Sequence, residues 1–264
     1  MRFEIDNKKF IDALNAVALK GKYPSGGTTK IKSLSDYAYI VAETASETGA
    51  ASSITLYNAN DSTACSIKVQ DSENLDMVHI GGESVLDISK LKRYLKPMKG
   101  SVRVDIGETI ILDTATKSAT IPSVISHPSF SMIQLVRNID LEGKGVNNLP
   151  TFGKANVQFE AAVMLTSDSL KDACTTCDVA NTSRYILEST STDFRISIPE
   201  VNTEKIVVYP ETLTVDGEEA IVELTGEFAH FLDGITTIYL KDDFPVLITS
   251  PNRVLIKAPR FNPR

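Results

Sequence analysis

Hydrophobic and polar positions follow a pattern that returns about 160 residues further along the chain. Near the start, Phe3-Glu4-Ile5-Asp6 alternates with the period of a strand. It leads into Asn7-Lys8-Lys9-Phe10-Ile11-Asp12-Ala13-Leu14, where the apolar spacing becomes helical. In the second half, Val163-Met164-Leu165-Thr166 followed by Ser167-Asp168-Ser169-Leu170-Lys171-Asp172-Ala173-Cys174 has the same grammar. At constant offset Ile5 corresponds to Leu165, Phe10 to Leu170, Asp12 to Asp172 and Ala13 to Ala173. A second echo relates Val85-Leu86-Asp87-Ile88-Ser89-Lys90-Leu91-Lys92-Arg93-Tyr94-Leu95 to residues 221–232, with one residue inserted before the second helix. Each half reads as strand, helix, strands, strand, helix, strands. The predicted class is α+β, with two similar domains that each pack two short helices on β-sheets.

The first helix is predicted from Asn7 to Leu19, with Phe10, Ala13, Leu14 and Val17 on one face. Residues 30–80 read as β-structure, with a small-residue loop from Glu43 to Ser53. Ser89 stands where an N-cap belongs, ahead of a helix with Leu91, Tyr94 and Leu95 on its apolar side. Strands follow at Val102–Ile106, Thr109–Asp113 and Ser118–Pro122. In the second half, strands are predicted at Arg184–Glu188, Phe194–Ile198, Glu204–Tyr209, Thr236–Leu240, Val246–Thr249 and Val254–Lys257. A short helix is predicted at Glu227–Asp233.

Residues 126–155 break the pattern, because Pro128, Gly143, Gly145, Pro150 and Gly153 leave no sustained period. This stretch is expected to connect a first domain, 1–125, to a second, 156–264. It carries an apolar cluster, Met132-Ile133-Gln134-Leu135-Val136, which a passive tether would not need, so it is expected to lie strapped on the surface.

Composition adds bounds. The 264 residues suffice for two cores, and the hydrophobic and charged fractions of 42% and 23% are those of a globular chain. No apolar run approaches bilayer-spanning length, and Arg2, Glu4 and Asp6 do not read as a secretory leader, so a cytoplasmic location is expected. The net charge of −7 is unevenly spread: residues 1–125 hold 15 basic and 15 acidic side chains, and residues 126–264 hold 12 and 19. Positive charge gathers at Lys90, Lys92, Arg93, Lys96 and Lys99, and again at Lys8, Lys9, Lys20 and Lys22. Lys171 and Arg184 are the nearest equivalents in the second half, diluted by Asp168, Asp172 and Asp178.

Enzyme signatures are absent: there is no phosphate-binding glycine loop, no dinucleotide fingerprint and no nucleophile elbow. His79, His127 and His230 are too scattered for a metal triad, and Cys174-Thr175-Thr176-Cys177 lacks a second ligand pair. Leu170, Ala173, Cys174 and Cys177 instead form a helical core stripe. No catalytic residue, metal or cofactor is expected.

The C-terminal stretch carries the most specific pattern: Asp243-Phe244-Pro245-Val246-Leu247-Ile248, then Asn252-Arg253-Val254-Leu255-Ile256-Lys257-Ala258-Pro259-Arg260. With the repeated strand–helix starts, the basic 87–99 segment and the long connector, it resembles the DNA sliding clamps of the proliferating-cell-nuclear-antigen type, over nearly the whole chain. That resemblance implies a ring-forming DNA-clamp fold, a homotrimer closed head to tail, and a processivity role without catalysis. It implies contacts with encircled double-stranded DNA from Lys8, Lys9, Lys20, Lys22, Lys90, Lys92, Arg93, Lys96, Lys99, Lys171 and Arg184. A groove for peptides of DNA polymerase and other clients is implied at Met132, Ile133, Leu135, Val136, Pro245, Ile256, Ala258 and Pro259, and a clamp loader as a further partner. Subunit contacts are implied at Ile110, Ile111, Leu112, Tyr185 and Ile186. Two other readings stay open on the sequence: a β-rich ligand-binding protein built by duplication, or an enzyme with an unrecognised site in 126–155.

Overall fold

Asp6 ends the first strand and starts the first helix, its carboxylate accepting from Lys9 N at 2.9 Å. The computed structural model describes residues 1–23, 30–33, 36–46, 50–70, 77–139, 141, 149–152, 157–180, 182–200, 204–226 and 228–260. Among these are 22 strands and four α-helices. The chain divides into two units, one comprising residues 1–19, 33–61 and 65–133, the other 20–32, 62–64 and 134–264.

In the first unit, β1 (Arg2–Asp6) leads into α1 (Asn7–Val17). A ribbon, β2 (Lys20–Tyr23) with β3 (Lys30–Ser33), comes next along the chain. Then come β4 (Tyr37–Glu43), β5 (Ser53–Ala59), β6 (Thr63–Val69), β7 (Val78–Ile80), β8 (Gly82–Asp87) and α2 (Ile88–Leu95). Strands β9 (Ser101–Ile106), β10 (Thr109–Asp113) and β11 (Ser118–Pro122) complete it. One sheet has the order β11-β10-β9-β1-β7, and a second run of neighbours is β6-β5-β4-β8. Phe3, Ile5, Val102, Val104, Leu112 and the α1 residues Phe10 and Leu14 are all buried. Past β11 the chain returns to bridge Val85 with Val124, closing the β8 edge. Asp87, not Ser89, caps α2, accepting from Lys90 N at 2.7 Å. The strand ends at Asp87 because Ile88 is already a buried helical position.

The connector is not structureless. His127 Nδ1 accepts from Ser129 N at 3.1 Å, and α3 (Phe130–Arg137) follows. Two short strands, β12 (Thr151–Phe152) and β13 (Val157–Gln158), then pair.

The second unit repeats the first. Its order is β14 (Ala161–Thr166), α4 (Ser167–Asp178), β15 (Arg184–Ser189), β16 (Phe194–Ser197), β17 (Val207–Val208), β18 (Thr212–Gly217) and β19 (Ala220–Thr225). A 3₁₀ helix at Ala229–Phe231 and strands β20 (Ile235–Leu240), β21 (Val246–Ser250) and β22 (Arg253–Lys257) end it. Strand neighbours run β22-β21-β20-β14-β18 and β17-β16-β15-β19, the same two orders as before. Past β22 the chain again returns to the end strand, Arg260 N donating to Glu223 O at 2.8 Å. The duplication extends to single hydrogen bonds. Asn7 N donates to Gly100 O at 3.0 Å and Ser167 N to Gly234 O at 2.8 Å. Both glycines hold positive φ, +73° and +69°, a conformation that would strain any side chain. The β2–β3 ribbon has no counterpart among the described residues of the second unit, and the helix expected at Glu227–Asp233, whose first residue lies outside the described residues, differs too. Gly226 turns the chain at φ +77°, and a single 3₁₀ turn remains.

Candidate nucleic-acid interface

Helices α1 and α2 pack side by side in the first unit. Asn7 joins them, its Nδ2 donating to Leu95 O at 3.0 Å and Met98 O at 2.7 Å. These acceptors lie where a helix runs out of internal donors. Ile88, Leu91 and Leu95 bury one face of α2, which leaves its cations on the other side. Arg93, Lys96 and Lys99 are exposed and Lys90 and Lys92 half-buried, with no carboxylate between Ile88 and Leu95. The Arg93 guanidinium sits 5.5 Å from the Tyr94 ring centroid, which limits its rotamers. Lys8 and Lys9 are exposed in the first turn of α1. Cations at a helix N-terminus oppose the macrodipole by a few tenths of a kcal/mol each, so local stability does not account for their placement. The structure thus brings Lys8 and Lys9 onto the helix beside the one that carries Lys90, Lys92 and Arg93. The side chains of Lys20 and Lys22 lie outside the described residues.

The second unit differs. Lys171 Nζ lies 3.6 Å from Asp168 and 3.5 Å from Ser167 Oγ. Arg184 is tied to Glu223 at 2.6 Å, with Arg260 3.7 Å from the same carboxylate. Asp168 and Asp172 are exposed on α4, whose described helix partner is the 3₁₀ turn at 229–231.

Two other groups of expected residues need correction. Strand β10 lies between β9 and β11, and β15 lies between β16 and β19, so neither has a free backbone edge. Ile110, Leu112 and Tyr185 are buried in the core, while Ile111 and Ile186 are half-exposed on strands that are already paired on both sides. The sheet of β10 ends at β11 and β7, and the sheet of β15 ends at β17 and β19. Of the groove residues, Ile133 and Val136 are buried at helical i, i+3 spacing on α3, and Ile256 is buried in β22. A peptide would not reach these three without rearrangement. Leu135 is 36% exposed, and Met132, Pro245, Ala258 and Pro259 are half-exposed. Sequence reasoning missed Phe130, exposed at the start of α3, with its ring 5.1 Å from Tyr39, which in turn lies 6.4 Å from Tyr57. The alternation Tyr37-Ala38-Tyr39 and the position of Tyr57 were the available signal.

The remaining chemistry is structural. Burial pushes the Cys65 thiol up to about 12 and the Cys177 thiol up to about 11, with Asp178 adding to the latter. Both thiols therefore stay protonated and behave as core side chains, and Cys174 is buried with them. Burial also lowers the His127 pKa; its Nε2 lies 3.2 Å from both Tyr37 O and Asn58 Oδ1. Among the described residues no three His, Cys, Asp or Glu side chains are placed to hold a metal ion, and no helix is long and apolar enough to cross a membrane.

The sequence matches no family model and no curated protein. The fold matches DNA sliding clamps. The DNA polymerase III beta subunit of Thermotoga maritima superposes with a TM-score of 0.71 at 12% identity, over 99% of this chain and 66% of that one. The Helicobacter pylori beta clamp bound to a DNA ligase peptide gives 0.65 at 7%, over 100% and 68%. The A. fulgidus PCNA bound to the C-terminal region of FEN-1 gives 0.63 at 15%, over 100% and 99%. The chain therefore has the sliding-clamp fold. It spans about two thirds of the length of the bacterial clamps and the full length of the archaeal one.

Proposed function

We propose that this chain is a DNA sliding clamp, a non-catalytic processivity factor that encircles duplex DNA and tethers replication proteins. The observation that carries this reading is the duplicated unit with a basic helix pair, in a chain that matches a two-unit archaeal clamp from end to end. Encirclement needs charge toward phosphates without base readout, and the exposed cations of α1 and α2 meet that need.

The ring is a homotrimer closed head to tail through β11 of one copy and β17 of the next. The duplication supports this pairing. In the second unit β22 is joined to residues 62–64, the start of β6, with Ala258 N donating to Ser62 O at 2.8 Å. The counterpart of β22 is β11, and the counterpart of β6 is β17. Among the described residues each of these two ends its sheet. A heterologous contact between them repeats a pairing the chain already uses and covers both of these edges.

Clients dock by short peptides, as the archaeal and Helicobacter clamps bind pieces of FEN-1 and DNA ligase. Surface residues Met132, Leu135, Pro245, Ala258 and Pro259 are the proposed contacts, and the ring works in the cytoplasm on DNA. Retention on plasmid DNA tests the reading. Protein assembled on a closed circle should stay through a gel-filtration column and leave when the circle is cut once. Equal retention before and after cutting would contradict encirclement.

A further inference from the structure

Building on the clamp reading, we infer that phosphate contact is confined to the helix pair of the first unit, and that the α4 face of the second unit is held off the polyanion by its own carboxylates. The duplication makes the comparison position by position. Lys8, exposed in the first turn of α1, corresponds at the 160-residue offset to Asp168, exposed in the first turn of α4. Charge is reversed at one structural position. Asp12 corresponds to Asp172, so the acidic residue is kept while the lysine one turn before it is replaced by Asp168.

The second helix changes in the same sense. Ile88–Leu95 holds Lys90, Lys92 and Arg93 and is followed by Lys96 and Lys99. Its counterpart, Ala229–Phe231, offers only His230 and is followed by Asp233. Lys171 does not compensate. Its ammonium lies 3.6 Å from Asp168 and 3.5 Å from Ser167 Oγ, so contact with a phosphate would compete with both. Arg184 is likewise engaged by Glu223. The Debye length at physiological salt is about 8 Å, so the exposed carboxylates of α4 act on any phosphate approaching that helix and add little further away. In a closed ring of these chains, attracting and repelling sectors alternate around the duplex. Attraction at alternate sectors holds the DNA axis while repulsion at the others shortens each contact, which favours sliding over tight binding.

Fluorescence anisotropy with a short duplex across a salt series tests this with three variants of the full chain. Replacing Lys90, Lys92, Arg93 and Lys96 with Ala should flatten the salt dependence, by up to about 0.9 in the log–log slope for each phosphate that is no longer neutralised. Lys171→Ala should overlay the wild type. Asp168→Asn with Asp172→Asn should tighten binding and steepen the slope, a gain that a merely structural role for these carboxylates does not produce. The one-sided contact is overturned if Lys171→Ala flattens the slope as much as the α2 variant, or if the double Asn variant binds as the wild type does. Retention on circular DNA separates the two levels. Loss of topological retention by the wild type sinks the clamp reading and this inference together, whereas normal retention with a flattened Lys171→Ala slope sinks the inference alone.

Discussion

The Asn7 carboxamide donates to the Leu95 carbonyl at 3.0 Å from a site that is almost wholly buried. The same Nδ2 donates to Met98 O at 2.7 Å, so one side chain at the start of α1 satisfies two acceptors at the end of α2. This fixes the spacing between the two helices that carry the basic face. Asn7→Ala removes both hydrogen bonds; Leu95 O keeps the Met98 N–H at 2.8 Å, while Met98 O loses this donor, at about 1–3 kcal/mol. Denaturant unfolding of the variant should show a lower midpoint with an unchanged slope. A midpoint equal to that of the wild type would mean that water replaces the carboxamide there.

The β11 edge makes a sharper prediction. Thr114 N donates to Lys117 O at 2.8 Å, and the β10–β11 register then runs Asp113 with Ser118, Leu112 with Ala119 and Ile111 with Thr120. Hydrogen-bonded and non-bonded pairs alternate along an antiparallel ladder, so the backbone groups of Ser118 and Thr120 face away from β10. Pro122 stands in the same outward set, where a missing N–H costs the sheet nothing. Thr120→Pro should therefore leave the unit folded and abolish ring closure, giving a species at the 28.8 kDa mass of one chain by light scattering. A trimer in that variant, with native circular dichroism, would move the subunit contact to another edge.

Much of this was legible in the sequence, and the gaps have physical causes. Strand β10 and β11 bounds agree with their predicted bounds, because tight turns mark their ends. Ile5 with Leu165 and Phe10 with Leu170 share buried positions, as the offset implied. Alternation tells which face of a strand is buried and nothing about which strands are neighbours, so it could not distinguish β10 from an edge. Helix α3 was invisible because only Ile133 and Val136 mark its buried face, within a stretch broken by Gly and Pro. The reversal of charge between Lys8 and Asp168 was readable from the aligned repeats. The pairing of Lys171 with Asp168 needed coordinates.

Lys257 gives a pH prediction. Only 3% exposed, its ammonium donates to Thr63 Oγ1 at 3.2 Å, and burial pushes its pKa down to about 8 from 10.5. Between those values the unfolded chain binds the proton and the folded chain does not, so this group makes stability rise with pH from about 8 to 10.5. Below pH 8 both states are charged and the desolvation cost is borne in full, on the order of 3 kcal/mol. Lys257→Met should raise the unfolding free energy at pH 7 by a comparable amount. The difference between variant and wild type should shrink above pH 10. A variant less stable than the wild type at pH 7 would show that the Thr63 contact outweighs burial of the charge.

Residues of α3 should separate into two behaviours. Leu135 is exposed, so Leu135→Ser should keep the fold and weaken a polymerase-tail peptide from the same source by about 1–2 kcal/mol in calorimetry. Val136 is buried, so Val136→Ser should lower thermal stability first. Undiminished peptide affinity in Leu135→Ser would place the client site away from α3.

Copies of this chain should close around a space wide enough for a duplex, and every functional step proposed above depends on that closure. Single-particle electron microscopy of the purified protein tests it without a loader, a client or DNA. Closed three-chain rings are expected, with a central opening of at least the roughly 20 Å of a DNA double helix, its major groove alone being about 12 Å across. Isolated two-unit particles at micromolar concentration, or an assembly with no opening, would contradict it.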